Sequence, residues 1–287
     1  MTDFNMQVGE IQIVALTDMN LVYPTPLNEL WPGVPPAEWE KYRESFPDTF
    51  EGDAHMRIEI GCYLVRSGGK TILIDTGYGD GPFENLGGAR GELMADLVSN
   101  KIDPAEVDTV FLSHLHLDHV GWNTREVDGK WVPTFPNARY LAHEADLAHF
   151  RKSEVRARAS YPYMERYVEP LVKAGLFDTL GDEADLTPEV KAFLTPGHTP
   201  GHMSVLLASS GERAVIQGDV LIHPAQVTES EWTPLFDNDA DVAISTRRRL
   251  LDEWESEGTP IISCHFPAPG LGRVVRFEGR RYWRVGP

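Results

Sequence analysis

Three histidines and one aspartate stand within six residues of this sequence, at His114, His116, Asp118 and His119. The apolar run before them, residues 109–112, is typical of a buried strand that delivers polar side chains to its carboxyl end. Alternation along the strand end would direct His114 and His116 to one side, where one ion can take both. Asp118 and His119 follow the turn and can address a second position. One loop is therefore predicted to serve two metals.

The donor types favour zinc or a similar divalent ion. Imidazole nitrogens with a carboxylate suit zinc better than calcium or magnesium, and manganese, cobalt or iron accept the same donors. The chain has only two cysteines, Cys62 and Cys264, and both lie in apolar, strand-like context. We predict that they are buried free thiols, so a cysteine-rich structural site is not expected.

Three later segments also end in residues that bind metals. His198 lies in a tight turn rich in glycine and proline, Asp219 follows an apolar strand and a glycine, and His265 ends the last buried strand. A carboxylate with two oxygens can bridge two cations and reduce their repulsion, so Asp219 is predicted to be the bridge. His202 is predicted to be a hydrogen-bonded structural histidine rather than a fourth ligand.

Two residues near these segments have two interpretations each. Asp75 ends a predicted strand, where it either orients a ligating histidine by accepting its other N–H or simply forms the turn. Trp122, just after the metal loop, either lines an apolar pocket for substrate or packs in the core.

Composition bounds the class of protein. The chain has 287 residues, of which 41% are hydrophobic, and shows no repeat or linker, so one α/β domain over residues 1–287 is predicted. The formal charge of −18 opposes binding to nucleic acid and to anionic membranes. A small neutral or apolar substrate is expected. Because no leader-like segment and no long apolar run is seen, a cytoplasmic protein without a membrane span is expected.

Residues 23–47 form a long excursion rich in proline and aromatic residues, without helical or strand periodicity. Loops of this length are usually functional. Trp31, Trp39, Tyr42 and Phe46 either cover the pocket as a lid, pack on a second subunit of a homodimer, or pin the loop to its own core.

Strands and helices alternate along the rest of the chain. Helices are predicted at residues 91–99 and 242–257, and a long helical region from residue 144 to about residue 174. Strands are predicted between them, including the one at residues 107–113 that leads into the metal loop. This alternation is typical of an α/β protein.

The complete ligand series resembles the metallo-β-lactamase superfamily of dinuclear zinc hydrolases. The motif His-x-His-x-Asp-His at residues 114–119 is followed in the same order by His198, Asp219 and His265. The resemblance implies an αββα four-layer sandwich with two zinc ions per chain at one edge of its sheets. It assigns the ligands as follows: His114, His116 and His198 for the first zinc, Asp118, His119 and His265 for the second, and Asp219 between them.

The carboxyl-terminal third resembles methyl parathion hydrolase and the quorum-quenching lactonases, in residues 195–202, 218–221 and 265–272. Phe266, in the last of these segments, joins the candidate pocket. The acyl homoserine lactonases commonly carry a tyrosine three positions after the bridging aspartate, where this chain has Ile222. His223 beside it either replaces the tyrosine as a hydrogen-bond donor or has a structural role.

The resemblance implies hydrolysis by a hydroxide that bridges the two metals, since water between two zinc ions loses a proton near neutral pH. Asp118 would orient this hydroxide and then carry its proton to the departing oxygen. A lactone or ester is the expected substrate, with phosphotriesterase activity beside it. A β-lactam hydrolase and an iron-binding redox protein on the same fold are the alternatives.

Overall fold

The computed structural model describes residues 5–159 and 161–286, so the ends of the predicted domain and residue 160 lie outside the described residues. Seventeen strands lie within these ranges. They are β1 (Asn5–Val8), β2 (Ile11–Val22), β3 (Phe50–Glu51), β4 (His55–Ser67), β5 (Lys70–Ile74), β6 (Thr109–Phe111), β7 (Thr124–Val127), β8 (Lys130–Pro133), β9 (Arg139–His143), β10 (Phe177–Leu180), β11 (Glu183–Thr187), β12 (Val190–Leu194), β13 (Met203–Ser209), β14 (Glu212–Ile216), β15 (Ile261–Ile262), β16 (Leu271–Phe277) and β17 (Arg280–Val285).

The described helices have seven residues or fewer, except for the last one, which has 18. They are α1 (Leu27–Leu30), α2 (Glu40–Ser45), α3 (Leu93–Ser99), α4 (Leu117–Val120), α5 (Glu144–Phe150), α6 (Ser153–Arg156), α7 (Glu169–Lys173) and α8 (Ala240–Glu257). Single 3-10 turns cover Pro36–Trp39, Pro47–Thr49, Glu84–Leu86, Pro104–Glu106 and Pro224–Val227, and a π turn covers Met164–Val168.

Two large sheets form the centre of the molecule. The first has the order β1-β2-β4-β5-β6-β9-β10, with β3 added beside β4, and the second has the order β11 to β17. In the first sheet β5, β6, β9 and β10 run parallel, so their carboxyl ends meet at one edge. In the second sheet β14 and β15 are parallel and the other pairs are antiparallel.

Apolar side chains between these layers define a four-layer sandwich. Val65 and Ile72 of the first sheet pack against Val205 and Ile216 of the second. The outer face of the first sheet packs on the helices α3, α5 and α7, and the outer face of the second packs on α8. The predicted αββα architecture is confirmed, because each sheet buries one face on the other sheet and one on helices.

The strand before the metal loop is shorter than predicted. β6 ends at Phe111 instead of residue 113, because the backbone N–H of Ser113 donates to the side chain of Asp75 (2.7 Å) and leaves the ladder. His114 and His116 therefore lie in the loop after the strand and not on its last residues. Alternation along the strand, as predicted, does not explain how they converge.

The helical region predicted from residue 144 to about residue 174 is helical but not continuous. It is divided into α5, α6, the π turn and α7. Pro162 and Pro170 lie within this region, and a proline has no backbone N–H to donate to the helix, so each favours an interruption. Strands β1, β3, β7, β10 and β11 were not predicted, because each has five residues or fewer and so leaves little room for a periodic pattern.

The excursion at residues 23–47 contains short helices that pack on the same chain. Trp31 and Trp39 are fully buried and meet edge to face, with ring centroids 5.4 Å apart. Trp39 also packs on Phe50 and Trp232. Of the three interpretations, attachment to its own core describes these aromatic residues. No helix in the described part of the chain is both long and apolar enough to span a bilayer.

Candidate active site

The candidate ligands meet at the edge where strands of both sheets end. The loop after β6 carries His114 and His116, and α4 carries Asp118 and His119. The second sheet supplies the rest from the turns after β12, β14 and β15: His198, Asp219 and His265. Residues that are up to 151 positions apart in sequence therefore share one site, since 265 minus 114 is 151.

The first ligand group comprises His114, His116 and His198. Nδ1 of His116 lies 2.9 Å from Nε2 of His114 and 2.9 Å from Nε2 of His198. Oδ2 of Asp219 lies 3.2 Å from Nε2 of His198 and 3.8 Å from Nε2 of His114. Four donor atoms from different segments thus face one point.

The second ligand group comprises Asp118, His119 and His265. Oδ2 of Asp118 lies 3.6 Å from Nε2 of His119 and 3.7 Å from Nε2 of His265. Asp219 closes this group too, with Oδ1 3.5 Å from Nε2 of His119 and Oδ2 3.1 Å from Nε2 of His265. Within the described part of the chain, Asp219 is the one carboxylate that touches both groups.

The donor set fits divalent cations. Donors at about 2.0–2.1 Å around a tetrahedral zinc are about 3.3 Å from one another, which is the range of separations in both groups. Nε2 of His119 is buried and has no hydrogen-bond partner among the described residues. A buried polar atom without a partner costs free energy, and a bound cation in the second ligand group would remove that cost.

The outward ring nitrogens of four of the candidate ligand histidines also have partners. Nδ1 of His119 faces Oδ2 of Asp75 (2.9 Å), and Nδ1 of His198 faces Oδ1 of Asp237 (2.9 Å). The other two pairs are His265 Nδ1 with the backbone oxygen of Glu59 (2.9 Å) and His114 Nδ1 with Oγ of Ser113 (3.1 Å). Such partners fix the tautomer and direct the other nitrogen towards the cation.

Asp75 has the geometry of an orienting residue. Its carboxylate accepts from His119, from the Ser113 backbone (2.7 Å) and from the Ser113 hydroxyl (2.8 Å), and Ser113 in turn contacts His114. Asp75 thus reaches one histidine directly and a second through a serine. Its φ of 60°, unusual for a residue other than glycine, directs the chain into this turn.

Asp237 was not found from the sequence. It lies in the irregular acidic stretch before α8, with no strand end or motif to distinguish it from neighbouring carboxylates. The structure buries it between His198 and Arg247, whose Nη2 lies 3.4 Å from Oδ2 of Asp237. Only the tertiary contact separates it from Asp239, which caps α8 instead.

Charge is distributed unevenly over the site. Burial lowers the pKa of His114 and His116 well below the usual range, and the neighbouring imidazoles lower it further. Burial is the largest single influence on His119 and His265 and opposes their charge, but their acidic neighbours together outweigh it and raise the pKa of both. Asp219 is the strongest of these neighbours for each histidine. The surrounding imidazoles outweigh burial at Asp219 and hold its pKa well below the usual range. An ionised carboxylate therefore stands between the groups.

The site opens into a cleft of about 520 Å³. Asp118, His116, His198, Asp219 and His265 lie at its base. Its aromatic walls come from four parts of the chain: Tyr23, Tyr78, Phe150, Tyr161, Tyr163 and Phe236. Small-molecule sites usually have such large apolar walls with a few polar groups converging at one end.

Ile222 and Tyr23 are the predicted pocket residues that line this cleft. Trp122 does not: it packs in the core beside the first sheet and donates from Nε1 to Asp18 (2.7 Å). Phe266 is likewise buried away from the cleft, edge to face with Trp283. For Trp122 and Phe266 the pocket prediction is corrected, because nearness to a ligand in sequence does not decide which way a side chain points.

Two further histidines have structural contacts. His202 accepts the backbone N–H of Asp219 at Nε2 (2.8 Å) and pairs with Thr195 through Nδ1, as expected for a hydrogen-bonded structural residue. His223 accepts the backbone N–H of Ala225 and contacts Thr49 through Nε2 (2.7 Å). His223 is turned away from the cleft, so it does not replace the missing tyrosine.

The family model of the metallo-β-lactamase superfamily matches residues 60–277. The chain belongs to this superfamily. The sequence resemblance is thereby confirmed, and the superfamily fold agrees with the four observed layers. Membership in this superfamily makes the chain a metal-dependent hydrolase.

Relatives of this superfamily member include curated lactonases. An N-acyl homoserine lactonase of a Bacillus species is 24% identical over 208 residues, which cover 67% of this chain and 75% of the relative. The crystal structure of the hydrolase AbOPH is 26% identical, with a TM-score of 0.82, and the match covers 98% of this chain and 96% of that one.

A second similar structure shows the shared fold alone. AidC, a dizinc quorum-quenching lactonase in complex with its product, is 22% identical with a TM-score of 0.81. The match covers 99% of this superfamily member and 97% of AidC. The excursion and the cleft walls therefore lie within an architecture common to both chains.

Proposed function

We propose that this chain is a dizinc hydrolase that opens lactones or cleaves esters of small, neutral and largely apolar substrates. The observation that carries the proposal is the position of Asp219 and Asp118. Asp219 touches both ligand groups, and Asp118 stands in the second group with its side chain 24% exposed at the base of the cleft with aromatic walls. Ligands and substrate space thus meet at these two carboxylates.

The two ligand groups would each hold a zinc ion, which would supply an acidified water and a Lewis acid for the carbonyl under attack. Asp118 accepts the proton from the attacking water and returns it to the departing oxygen, since its carboxylate is the exposed acidic group beside the ligands. Asp219 stays ionised between the groups and holds them together. The cleft walls exclude water and hold the acyl or aryl part of the substrate.

Ile222 bears on substrate choice. It lines the cleft three positions after Asp219, where an aliphatic side chain offers no hydrogen bond to the oxygen of the attacked carbonyl. We expect a broad hydrolase whose activity on aryl esters or phosphotriesters is comparable to its lactonase activity. The aromatic walls support aryl groups, and the curated relatives named N-acyl homoserine lactonases support the lactone.

Residues 23–47 contribute, in this proposal, to the cleft wall through Tyr23 at their start. Tyr23 lines the cleft, whereas the tryptophans behind it are buried in the same chain and have no surface left for a partner. The whole of residues 1–287 then works as a single hydrolase domain. No described residue of the cleft specifically favours β-lactam hydrolysis or iron redox chemistry.

A metal analysis combined with a substrate panel tests the proposal. Protein purified without added metal is expected to hold two zinc ions per chain and to hydrolyse acyl lactones, aryl esters and paraoxon-like triesters. His116→Ala should lose metal and activity. His149→Ala is the matched control, since His149 lines the same cleft outside both ligand groups and its loss should leave the metal content unchanged. A site filled with iron, or hydrolysis of β-lactams alone, would contradict the proposal.

A further inference from the structure

Asp146 is a buried carboxylate that the proposed reaction does not use. It lies in the first turn of α5, and its side chain is inaccessible to solvent. It accepts three hydrogen bonds: from the backbone N–H of Leu115 (3.2 Å), from the hydroxyl of Thr199 (2.9 Å) and from the backbone N–H of Gly201 (2.6 Å). A carboxylate placed in the interior without such donors would be strongly unfavourable.

The three donors come from the two loops that carry the first ligand group. Leu115 stands between His114 and His116, and Thr199 directly follows His198. One loop follows β6 of the first sheet, and the other joins β12 to β13 of the second. Asp146 thus fastens together two loops that belong to different sheets.

Close packing at Gly201 shows that this contact is built into the fold. A Cβ atom on Gly201 would lie 2.9 Å from Oδ1 of Asp146, 2.7 Å from its backbone nitrogen and 2.9 Å from Nδ1 of His143. Side chains do not approach so closely, so only glycine lets the loop reach the carboxylate. His143 in turn caps α5 by accepting the backbone N–H of Ala145, which fixes the helix that carries Asp146.

His116 depends most on this arrangement. His114 and His198 each hold a partner on the outward Nδ1, whereas His116 directs Nδ1 towards the ligand group itself. Its ring is placed by its own backbone and by an edge contact with Phe150 of α5, at 5.3 Å between centroids. Asp146 fixes that backbone through the N–H of Leu115, the residue just before His116.

We propose that Asp146 is a positioning residue that sets the distance between His116 and His198, and thereby the affinity of the first ligand group for its metal. The proposal rests on the metal role of that group in the proposed function. Without the carboxylate the two loops can separate, and a cation would have to draw the histidines together when it binds. A preorganised group avoids this cost.

Zinc affinity in a His265→Ala background isolates the first ligand group, because this change removes a ligand of the second. The affinity for the first equivalent of zinc is measured by competition with a chromogenic chelator, with the fold monitored by circular dichroism. Adding Asp146→Asn should weaken zinc binding by about 10-fold or more, as for other hydrogen-bond partners that orient ligands.

The matched control is Asp18→Asn in the same background. Asp18 is also a buried carboxylate with three donors, the backbone N–H groups of Tyr78 and Leu93 and the indole of Trp122, but it bonds neither loop of the first group. It should leave zinc affinity within about threefold, well below the effect of an orienting partner. Equal zinc affinities in the Asp146→Asn and Asp18→Asn variants would overturn the role of Asp146.

Thr199→Val gives a milder second variant that removes one of the three donors and keeps the shape of the side chain. Thr199→Val should weaken zinc binding by less than Asp146→Asn. If Asp146→Asn does not fold, the zinc affinity of Thr199→Val tests the role of Asp146. Unchanged affinity in folded Thr199→Val and Asp146→Asn would refute the proposal. A His265→Ala parent that binds no zinc would instead contradict the metal role of the first group, and with it the proposed function.

Discussion

The two ligand groups share Asp219 but differ in composition and surroundings. The first consists of three imidazoles in buried loops, and burial holds the pKa of His114 and His116 low, so they stay neutral. The second contains Asp118, whose side chain is 24% exposed in the cleft. In the proposed function this difference divides the labour: the first group would retain a cation, and the second would combine a cation with an acidic group beside the substrate.

The outer contacts of the groups differ as well. Asp237 bonds His198 of the first group only, and Arg247 holds it from behind. Asp75 bonds His119 of the second group directly and reaches His114 of the first through Ser113. Asp237 is therefore specific to one group, whereas Asp75 serves both.

Asp219→Ala should have the largest effect, since it removes the carboxylate between the groups. We expect both metals to be lost. Activity should fall further than it does when a residue that orients a metal ligand is removed, which typically costs about 10–100-fold. Metal content and kcat/KM are the measurements, with Asp185→Ala at an exposed position of β11 as control. Two tightly held ions with full activity would show that the groups do not depend on a shared bridge.

Asp118→Asn tests whether the second group contains the proton-transfer residue. The expected loss in kcat is about 100-fold or more, the range for a side chain that moves a proton in the transition state, with a smaller change in KM. The amide keeps the size of the side chain but cannot accept the proton. An unchanged kcat in fully metallated protein would remove Asp118 from this role.

Asp237→Asn and Asp75→Asn compare the outer contacts directly. Asp237→Asn should weaken the binding of one ion per chain by about 10–100-fold, and Asp75→Asn should weaken the binding of both ions. Metal stoichiometry after dialysis against graded chelator concentrations, with thermal unfolding as the stability control, gives the answer. If Asp237→Asn released both ions together, the separation into two groups would be wrong.

Ile222→Tyr should have the smallest effect, on the ratio of activities. A tyrosine hydroxyl beside Asp219 should raise kcat/KM for an acyl lactone relative to an aryl triester by about 10-fold, below the 10²–10³ of a well-aligned oxyanion donor. The smaller value follows because Ile222 is only 2% exposed and a larger side chain strains its surroundings.

Ile222→Phe is the control for size, because it adds the ring without the hydroxyl. The same change of ratio with phenylalanine and tyrosine would assign the effect to packing. A strong preference of the unmodified protein for homoserine lactones would show that the residue at 222 does not control substrate choice.

The sequence by itself determined the superfamily, the four-layer fold and the set of chemically capable residues. Metal-binding side chains are few, and the motif at residues 114–119 fixes their types and spacing locally. The apolar runs before His198, Asp219 and His265 placed them after buried strands, and Asp75 was noted for the same reason. Such signals lie within a few residues of one another and do not require knowledge of the fold.

Only the tertiary structure decided which side chains face the cleft and which hold the ligands from outside. Trp122 and Phe266 follow ligands in sequence but turn into the core, and Asp237 and Asp146 have no local signal although they bond loops of the first group. The roles of the two aspartates arise from contacts between residues that are distant in sequence. Asp146 bonds Leu115 and Thr199, which are 31 and 53 positions away, and Asp237 bonds His198, which is 39 positions away. Which side chains are buried, and which distant residues they contact, depends on how the two sheets pack. A local sequence pattern does not encode that packing.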